Sequence, residues 1–290
     1  MKAVGCMIKS IHFDLYQAQF RELSMNIKNT DSNEDKFHND SIISQFTKYA
    51  VPYAHLSEHS DRHGIELMLK LSKPQSNDVV LDVACGTGIV SCEFAKFVSH
   101  VTGIDLTPAM LEQAKQFQQD KQLRNITWKI GDVSKPPMPF DDSSFSIVVT
   151  RYSLHYLLEP TKVLQEMMRV CTDEGRILVI DVTPDAGKVD AYNHVEKLRD
   201  PSHASALTLT ELENYMREIG LINLKVAHHD LEAELESILQ VSCRNQDDAN
   251  KIRLLFKEDL TKNNLGMRSH LRESKIHFYF PISMVVGEKR

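Results

Sequence analysis

Between residues 79 and 182 the chain repeats one pattern, a short apolar run rich in β-branched residues followed by a stretch of helical periodicity. The runs predict strands over 79–83, 101–105, 126–130, 145–150 and 176–182, with helices over 89–98, 108–119 and 161–170. Pro108 suits the first turn of its helix, where its missing N–H costs nothing. Upstream, Ile42, Ile43, Phe46, Tyr49 and Ala50 mark a helix over 41–53 that Pro52 ends, and a second helix over 61–71 leads into the first strand. Downstream, a helix over 208–219 opens near Thr210-Glu211 and stops at Gly220. Two last strands, 221–227 and 276–286, are separated by roughly 45 residues of helical pattern, and an insertion that long in a compact domain is often a lid. Its helices are expected over 231–239 and 249–260. The predicted fold is α/β: a seven-stranded, mostly parallel sheet with helices on both faces and a helical lid insertion before the last strand.

The first strand breaks into Ala84-Cys85-Gly86-Thr87-Gly88. Glycines in a turn at the carboxyl end of a parallel strand let a ligand approach the backbone. The turn lacks the GK[ST] ending of a triphosphate loop. It also fails GxGxxG, since Val90 and Ser91 follow Gly88, which disfavours a pyrophosphate seat. Asp82, just before the turn, repels a diphosphate and attracts an ammonium, directly or through water. The second strand ends in Asp105, close to the distance of about 20 residues at which an acid accepts ribose hydroxyls in dinucleotide folds. A nucleoside-type cofactor is expected.

The composition narrows the classes. The chain has 290 residues, 42% hydrophobic and 26% charged, as in an ordinary globular protein. Its net charge of −6 disfavours a dedicated nucleic-acid surface. No apolar run reaches bilayer length, the first nine residues do not read as a secretory signal, and a cytoplasmic location is expected. Cys6, Cys85, Cys92, Cys171 and Cys243 are odd in number and lack CxxC, so neither disulfides nor zinc are suggested. His59 and His63 lie one helical turn apart, but without a third ligand they read as solvated, and no metal is expected. Residues 11–20 could form a short amphipathic helix, and 26–40 read as a solvated linker. Residues 1–40 are therefore a partly flexible extension, and 41–290 the working domain, with 183–205 and 229–273 as its substrate-side cover or lid.

Asp82-x-Ala84-x-Gly86-x-Gly88, Asp105 and Gly131-Asp132-Val133 together resemble the class I S-adenosylmethionine-dependent methyltransferases. The phrases 105–111 (DLTPAML), 139–145 (PFDDSSF) and 198–203 (LRDPSH) resemble the subgroup of ubiquinone and menaquinone biosynthesis methyltransferases. Two departures are visible: Ala84 stands where a glycine is common, and Tyr156 follows His155 where many relatives carry a second histidine. The resemblance, which runs from about Phe46 to the C-terminus, implies a Rossmann-like sheet and S-adenosylmethionine as cofactor. Implied cofactor contacts come from Tyr53, Asp82, Ala84, Gly86, Gly88, Asp105, Leu106, Asp132, Val133 and Arg151, with Asp105 on the ribose and Asp132-Val133 facing the adenine. Tyr53 is either packed near the methionine part of the cofactor or a helix-end aromatic of the core.

The pocket of such a sheet lies beyond the carboxyl ends of its strands, so the loop Arg151-Tyr152-Ser153-Leu154-His155-Tyr156 faces the reacting group. His155 has the right chemistry for a catalytic base toward a phenolic or enolic proton, and it equally suits ordering the loop by hydrogen bonding. Arg199 or His203 could recognise the acceptor, while Asp200 and Ser202 read as an Asp-Pro turn held by its own side chains. His228-His229 is expected to face solvent. The function expected is methyl transfer to a small-molecule acceptor, a phenolic, enolic or quinone-precursor ring. The alternatives are a non-enzymatic S-adenosylmethionine-binding module and a nicotinamide-dependent oxidoreductase. Neither a nucleic-acid partner nor a membrane span is expected, and the oligomeric state is open.

Overall fold

The structure, a computed structural model, describes residues 34–52 and 61–290. The chain divides into two units, Met1–Ser41 and Ile42–Arg290. In the first unit the described residues, 34–41, are helical. Residues 34–40 were therefore misread as linker: their polarity is that of a solvated helix face, which composition does not separate from a loop. The expected helix over 11–20, together with Tyr53 and His59, lies outside the described residues.

The second unit opens with helix α1 (residues 42–52). There follow α2 (Arg62–Ser72), β1 (Val79–Val83), α3 (Ile89–Phe94), β2 (His100–Asp105), α4 (Pro108–Asp120), β3 (Ile126–Ile130) and β4 (Phe145–Arg151). After a 3₁₀ turn at Leu154–Tyr156 come α5 (Pro160–Val170), β5 (Cys171–Val182), α6 (Val189–Arg199), α7 (Leu209–Glu218) and β6 (Ile222–Glu234). The chain closes with α8 (Leu235–Ser242), α9 (Gln246–Lys262), β7 (His270–Arg272) and β8 (Lys275–Glu288). The sheet runs β3-β2-β1-β4-β5-β8-β6, with the short β7 added on β8. Its first five strands are parallel, and β8 pairs antiparallel with β5, β6 and β7. This is the α/β fold expected, with an eighth strand that three residues of mixed polarity did not announce. Connections from β1 run outward to β2 and β3, then return to β4 on the other side of β1. Crevices open at such reversals, beyond the carboxyl ends of the strands.

Alternation along the central strands divides the core. Leu81, Val83, Ile177 and Val179 pack on one face with Leu164, Met167, Leu212 and Met216. Val80, Leu178 and Ile180 pack on the other with Phe94, Tyr192, Ile252 and Phe256. β5 is thus covered on both faces, which is why it reads as a continuous apolar run. Helices α8 and α9 of the insertion share the second face through Ile238, Leu239, Ile252 and Phe256, so their apolar stripes belong to the main core.

Several boundaries differ from the expected ones. The first crossover helix stops at Phe94 rather than residue 98, because the side chain of Asn125 donates to the carbonyls of Ala95 and Val98 (2.9 and 3.0 Å) and turns the chain toward β2. Helix α7 starts where expected, with Thr208 as its cap residue in a reciprocal box with Glu211. β6 extends through Glu234, pairing Leu231 with Phe280, so residues 229–234 and 270–272 are sheet rather than insertion helix. His229 consequently does not face solvent: it is buried, with Nε2 2.6 Å from Asp61 Oδ2 at the start of α2. His228 and His63 are exposed.

Gly103, in the middle of β2, makes room for Trp128 of β3, where an added Cβ would stand 2.6 Å from the indole ring and 2.9 Å from Cys85 Sγ. The indole is anchored by its N–H, which donates to Gln118 Oε1 at 2.7 Å. Gly103→Ala is therefore expected to destabilise the protein by about 1–3 kcal/mol, as overpacking does. Thermal melting of the variant checks this, and an unchanged midpoint would show that the indole yields freely.

Candidate active site

The carboxyl ends of β1 and β2 meet at the glycine turn. Its backbone is wound into the left-handed region at Ala84 (φ 56°), Gly86 (φ 51°) and Gly88 (φ 75°). The two glycines serve different ends. At Gly88 a Cβ would meet Trp128 at 2.5 Å and Ala114 at 2.8 Å, so this glycine is required by packing inside the protein. At Gly86 no atom stands within 4 Å of that position, so it borders open space. Ala84 tolerates its left-handed conformation at a cost that glycine would avoid.

Asp105 holds this turn. One carboxylate oxygen accepts from the Gly86 N–H and the other from the Thr107 N–H, both at 2.8 Å. Burial pushes its carboxyl above the ordinary range, against these two backbone donors. The Leu106 N–H and the Thr107 hydroxyl also donate to this carboxylate. Asp82 is 1% exposed and accepts from the Ser91 hydroxyl at 2.6 Å. Burial pushes its carboxyl up to about 7, with the Ser91 hydrogen bond opposing and the Asp105 charge adding to the shift. At the end of β3, Asp132 accepts from the Ser134 N–H and hydroxyl and pairs with Lys135 at 2.8 Å, while Val133 is buried and Leu106 half-buried. Arg151 ends β4 with its guanidinium stacked 4.4 Å from the centre of the Tyr152 ring. The fold thus gathers Asp82, Ala84, Gly86, Gly88, Asp105 and Leu106 around the β1 and β2 ends, with Asp132-Val133 after β3 and Arg151 at the end of β4.

His155 sits in the 3₁₀ turn after β4 and is 8% exposed. Its Nδ1 lies 2.5 Å from Asp181 Oδ1 at the end of β5. Asp181 also accepts from the backbone N–H groups of Leu154 (2.8 Å) and Val182 (2.7 Å), which fix the carboxyl group in place. With Nδ1–H donating to Asp181, the lone pair of His155 is at Nε2. Thr150 donates to the Val83 carbonyl at 2.8 Å and is bonded to Ser153, tying this loop to the glycine turn. A void no larger than a water molecule lies beside the His155–Asp181 pair, lined by Leu154, Val182, Leu207 and Leu212.

The connection between α6 and α7 straps this loop down. The His155 carbonyl accepts from the N–H groups of Ala204 (2.8 Å) and Ser205 (3.1 Å), and Tyr156 donates to Asp200 at 3.1 Å. Asp200 also accepts from the Ser202 N–H and hydroxyl, a turn held by its own side chains. Arg199 pairs with Glu196 inside the protein. From the other side, Phe46 of α1 meets the Tyr156 ring edge-on at 5.1 Å, and Gln45 and Tyr49 donate to the carbonyls of Ser242 and Cys243 at the end of α8. Sequence reasoning did not single out Asp181. Its signal was present, an acid closing an apolar strand as Asp105 does, but nothing in the sequence paired it with His155. Ser91 carried no signal, since it acts only through its hydrogen bond to Asp82, from α3 to β1.

Comparison with known proteins converges on one family. A family model described as a methyltransferase domain matches residues 74–253. The uncharacterised methyltransferase YcgJ of Bacillus subtilis is 32% identical over 168 residues, 57% of this chain and 66% of YcgJ. A ubiquinone/menaquinone biosynthesis C-methyltransferase UbiE from Ruegeria is 28% identical over 51% of this chain and 60% of its own length. In sequence, the chain thus spans just under two thirds of these curated relatives. In structure, YcgJ superposes with a TM-score of 0.72 at 27% identity, covering 79% of this chain and 98% of that one. A methyltransferase-like protein of Bacillus halodurans gives 0.69 at 26%, covering 79% and 99%. With a glycine turn, two acids at adjacent strand ends and a match over more than half its length, the chain belongs to the methyltransferase domain family.

Proposed function

We propose that the chain transfers a methyl group from S-adenosylmethionine to a small acceptor, a phenolic, enolic or quinone-precursor ring. The observation that carries the reading is the His155–Asp181 pair, one strand end away from the glycine turn. The residues fit the cofactor: open space borders Gly86, and the carboxylate of Asp105, at the neighbouring strand end, can exchange the Thr107 hydroxyl for a ribose hydroxyl. In this reading Asp105 holds the ribose hydroxyls, Asp82 attracts the ammonium, Leu106, Asp132 and Val133 border the adenine, and Arg151 serves the carboxylate end. The resemblance alone assigns Tyr53 a contact near the methionine part. The bound cofactor supplies an electrophilic methyl group on a sulfonium.

The chain's own work is positioning and proton removal. Asp181 keeps the proton of His155 on Nδ1, so Nε2 accepts the acceptor's hydroxyl proton. The imidazolium that results is paired with Asp181. Helices α8 and α9, with residues 183–205, form the substrate-side cover, and a cytoplasmic location completes the reading. No helix among the described residues is long and apolar enough to cross a membrane.

Turnover with phenols, enols and amines, assayed by mass spectrometry, tests the reaction; cofactor binding without methylation of any of them favours a binding module. His155→Ala should lower turnover by roughly two to four orders of magnitude with cofactor affinity retained. Asp181→Asn should lower it as well, by releasing the tautomer. Wild-type turnover by His155→Ala on a phenol that is protonated at the assay pH would remove His155 from catalysis.

Asp105→Asn is expected to weaken S-adenosylmethionine at least tenfold in calorimetric titration, since charge-assisted hydrogen bonds contribute about 1.5–3 kcal/mol. An unchanged affinity would refute the ribose assignment. Asp82 sets a pH dependence. Its folded carboxyl lies near 7 against an ordinary 3.8, so the ligand-free folded state holds the extra proton between those values. Stability is therefore full below the lower value and falls as pH rises through the higher one. Urea unfolding of wild type should show this decline, and Asp82→Asn should flatten it. Affinity for a cationic cofactor should move oppositely, strengthening as Asp82 ionises.

A further inference from the structure

Tyr152 follows the last residue of β4 in a conformation that a strand does not supply. Along β4, Ile147 and Val149 pack on one face of the sheet with Val80, Leu178 and Ile180, and Val148 packs on the other with Leu81 and Val83. Arg151 continues the series of Ile147 and Val149, so alternation would send Tyr152 to the opposite face. Instead Tyr152 packs against the same core as Ile147 and Val149. A left-handed backbone at Tyr152 (φ 56°) makes the reversal, while its N–H still donates to the Ile180 carbonyl at 2.8 Å. A bulky residue at positive φ is an outlier, and such strain gathers where function demands a geometry that regular structure lacks.

The reversal achieves a stack between two consecutive side chains, which a regular strand keeps apart. The Arg151 guanidinium lies 4.4 Å from the centre of the Tyr152 ring, and one of its nitrogens donates to the Tyr152 hydroxyl over a long 3.4 Å. Cation–π attraction engages the face of the guanidinium plane, whereas a carboxylate is recognised along its edge. One arginine can do both at once. The charge of Arg151 also reaches Asp82, whose carboxyl it lowers against the dominant effect of burial, so the guanidinium stands near the seat assigned above to the cofactor's ammonium. We propose that Tyr152 is a positioning residue for the cofactor: its ring holds the Arg151 guanidinium by the face, so that the edge N–H groups meet the carboxylate of the cofactor's methionine part. The inference rests on the carboxylate role given to Arg151 above.

The surroundings show why an arginine at this place needs a holder. Burial pushes the Tyr152 hydroxyl up, Arg151 opposes, and Asp181 and Asp61 add to the rise, so the ring stays neutral. Asp61, Asp82 and Asp181 thus stand within electrostatic reach of the stack, and each has a partner of its own in His229, Ser91 and His155. A long side chain among three acids has more than one resting place, and choosing one costs rotamer entropy. Fixing the guanidinium on the ring before the cofactor arrives removes that cost from binding.

Two ligands and two variants separate this role from packing. S-adenosylhomocysteine and 5′-methylthioadenosine share the adenosine and the thioether sulfur, and only the first carries the amino-acid group. In calorimetric titration, Tyr152→Leu, which keeps an apolar contact but no π face, should weaken S-adenosylhomocysteine about tenfold and leave 5′-methylthioadenosine unchanged. Tyr152→Phe, which keeps the face, should bind both as wild type does. Equal weakening of the two ligands in Tyr152→Leu, or wild-type affinity for both, overturns the proposal. In wild type, the side-chain nitrogen resonances of Arg151 should move with S-adenosylhomocysteine and stay still with 5′-methylthioadenosine, a readout that needs no variant to fold. Resonances that ignore both ligands overturn the proposal as well. Arg151→Gln tests the reading underneath, since it should lose the preference for S-adenosylhomocysteine too. If that preference survives in Arg151→Gln, the carboxylate role of Arg151 fails and the proposal falls with it; if Arg151→Gln loses it and Tyr152→Leu does not, only the role of Tyr152 fails.

Discussion

The buried carboxylate of Asp105 is the contact on which the site depends. It closes β2, and its two oxygens reach the backbone of the glycine turn at Gly86 and of the next helix entrance at Thr107. A turn with left-handed residues at alternate positions, Ala84, Gly86 and Gly88, offers its N–H groups to whatever lies in front of it, and without an acceptor it has little reason to keep one shape. The carboxylate provides that acceptor from the neighbouring strand, so the spacing between β1 and β2 sets the position of the turn. Trp128 supports the same arrangement from below, filling the space that Gly88 and Gly103 leave.

The second half of the site is built by the same device on the other side of β1. Asp181 closes β5 and accepts from Leu154, Val182 and His155, which places the imidazole between two strand ends instead of on a free loop. Both acids are buried, and both are surrounded by donors that compensate for the loss of water. The elements that cover this half are joined to it directly: the strap through the His155 carbonyl and Tyr156, and α1 through Phe46. The same α1 caps the end of α8 through Gln45 and Tyr49. Helix α1, the insertion and the 151–156 loop therefore form one connected set of contacts, and the loop cannot shift far without disturbing them.

Much of this was legible in the sequence for a physical reason. β1, β2, β3 and β4 are short apolar runs bounded by polar turns, and burial on both faces leaves few other readings of such a run. Asp82, Gly86 and Asp105 were visible because strand ends and tight turns impose local rules that are written in adjacent residues. Boundaries were less legible where a distant residue set them, as Asn125 does for the end of α3, or where pairing continued a strand through polar positions, as in β6 from His229 to Glu234.

The sequence by itself determined which residues close each strand, that the first strand breaks into a glycine turn, and that a histidine follows the fourth strand. Those features depend on neighbours within a few positions. Only the tertiary structure decided that His155 meets Asp181, 26 positions away across the β4–β5 pair. It alone separated Gly88, which packs against Trp128, from Gly86, which borders open space. Each of these is a relation between side chains brought together by sheet register and crossover packing, and periodicity along a single chain carries no record of which of its faces will meet.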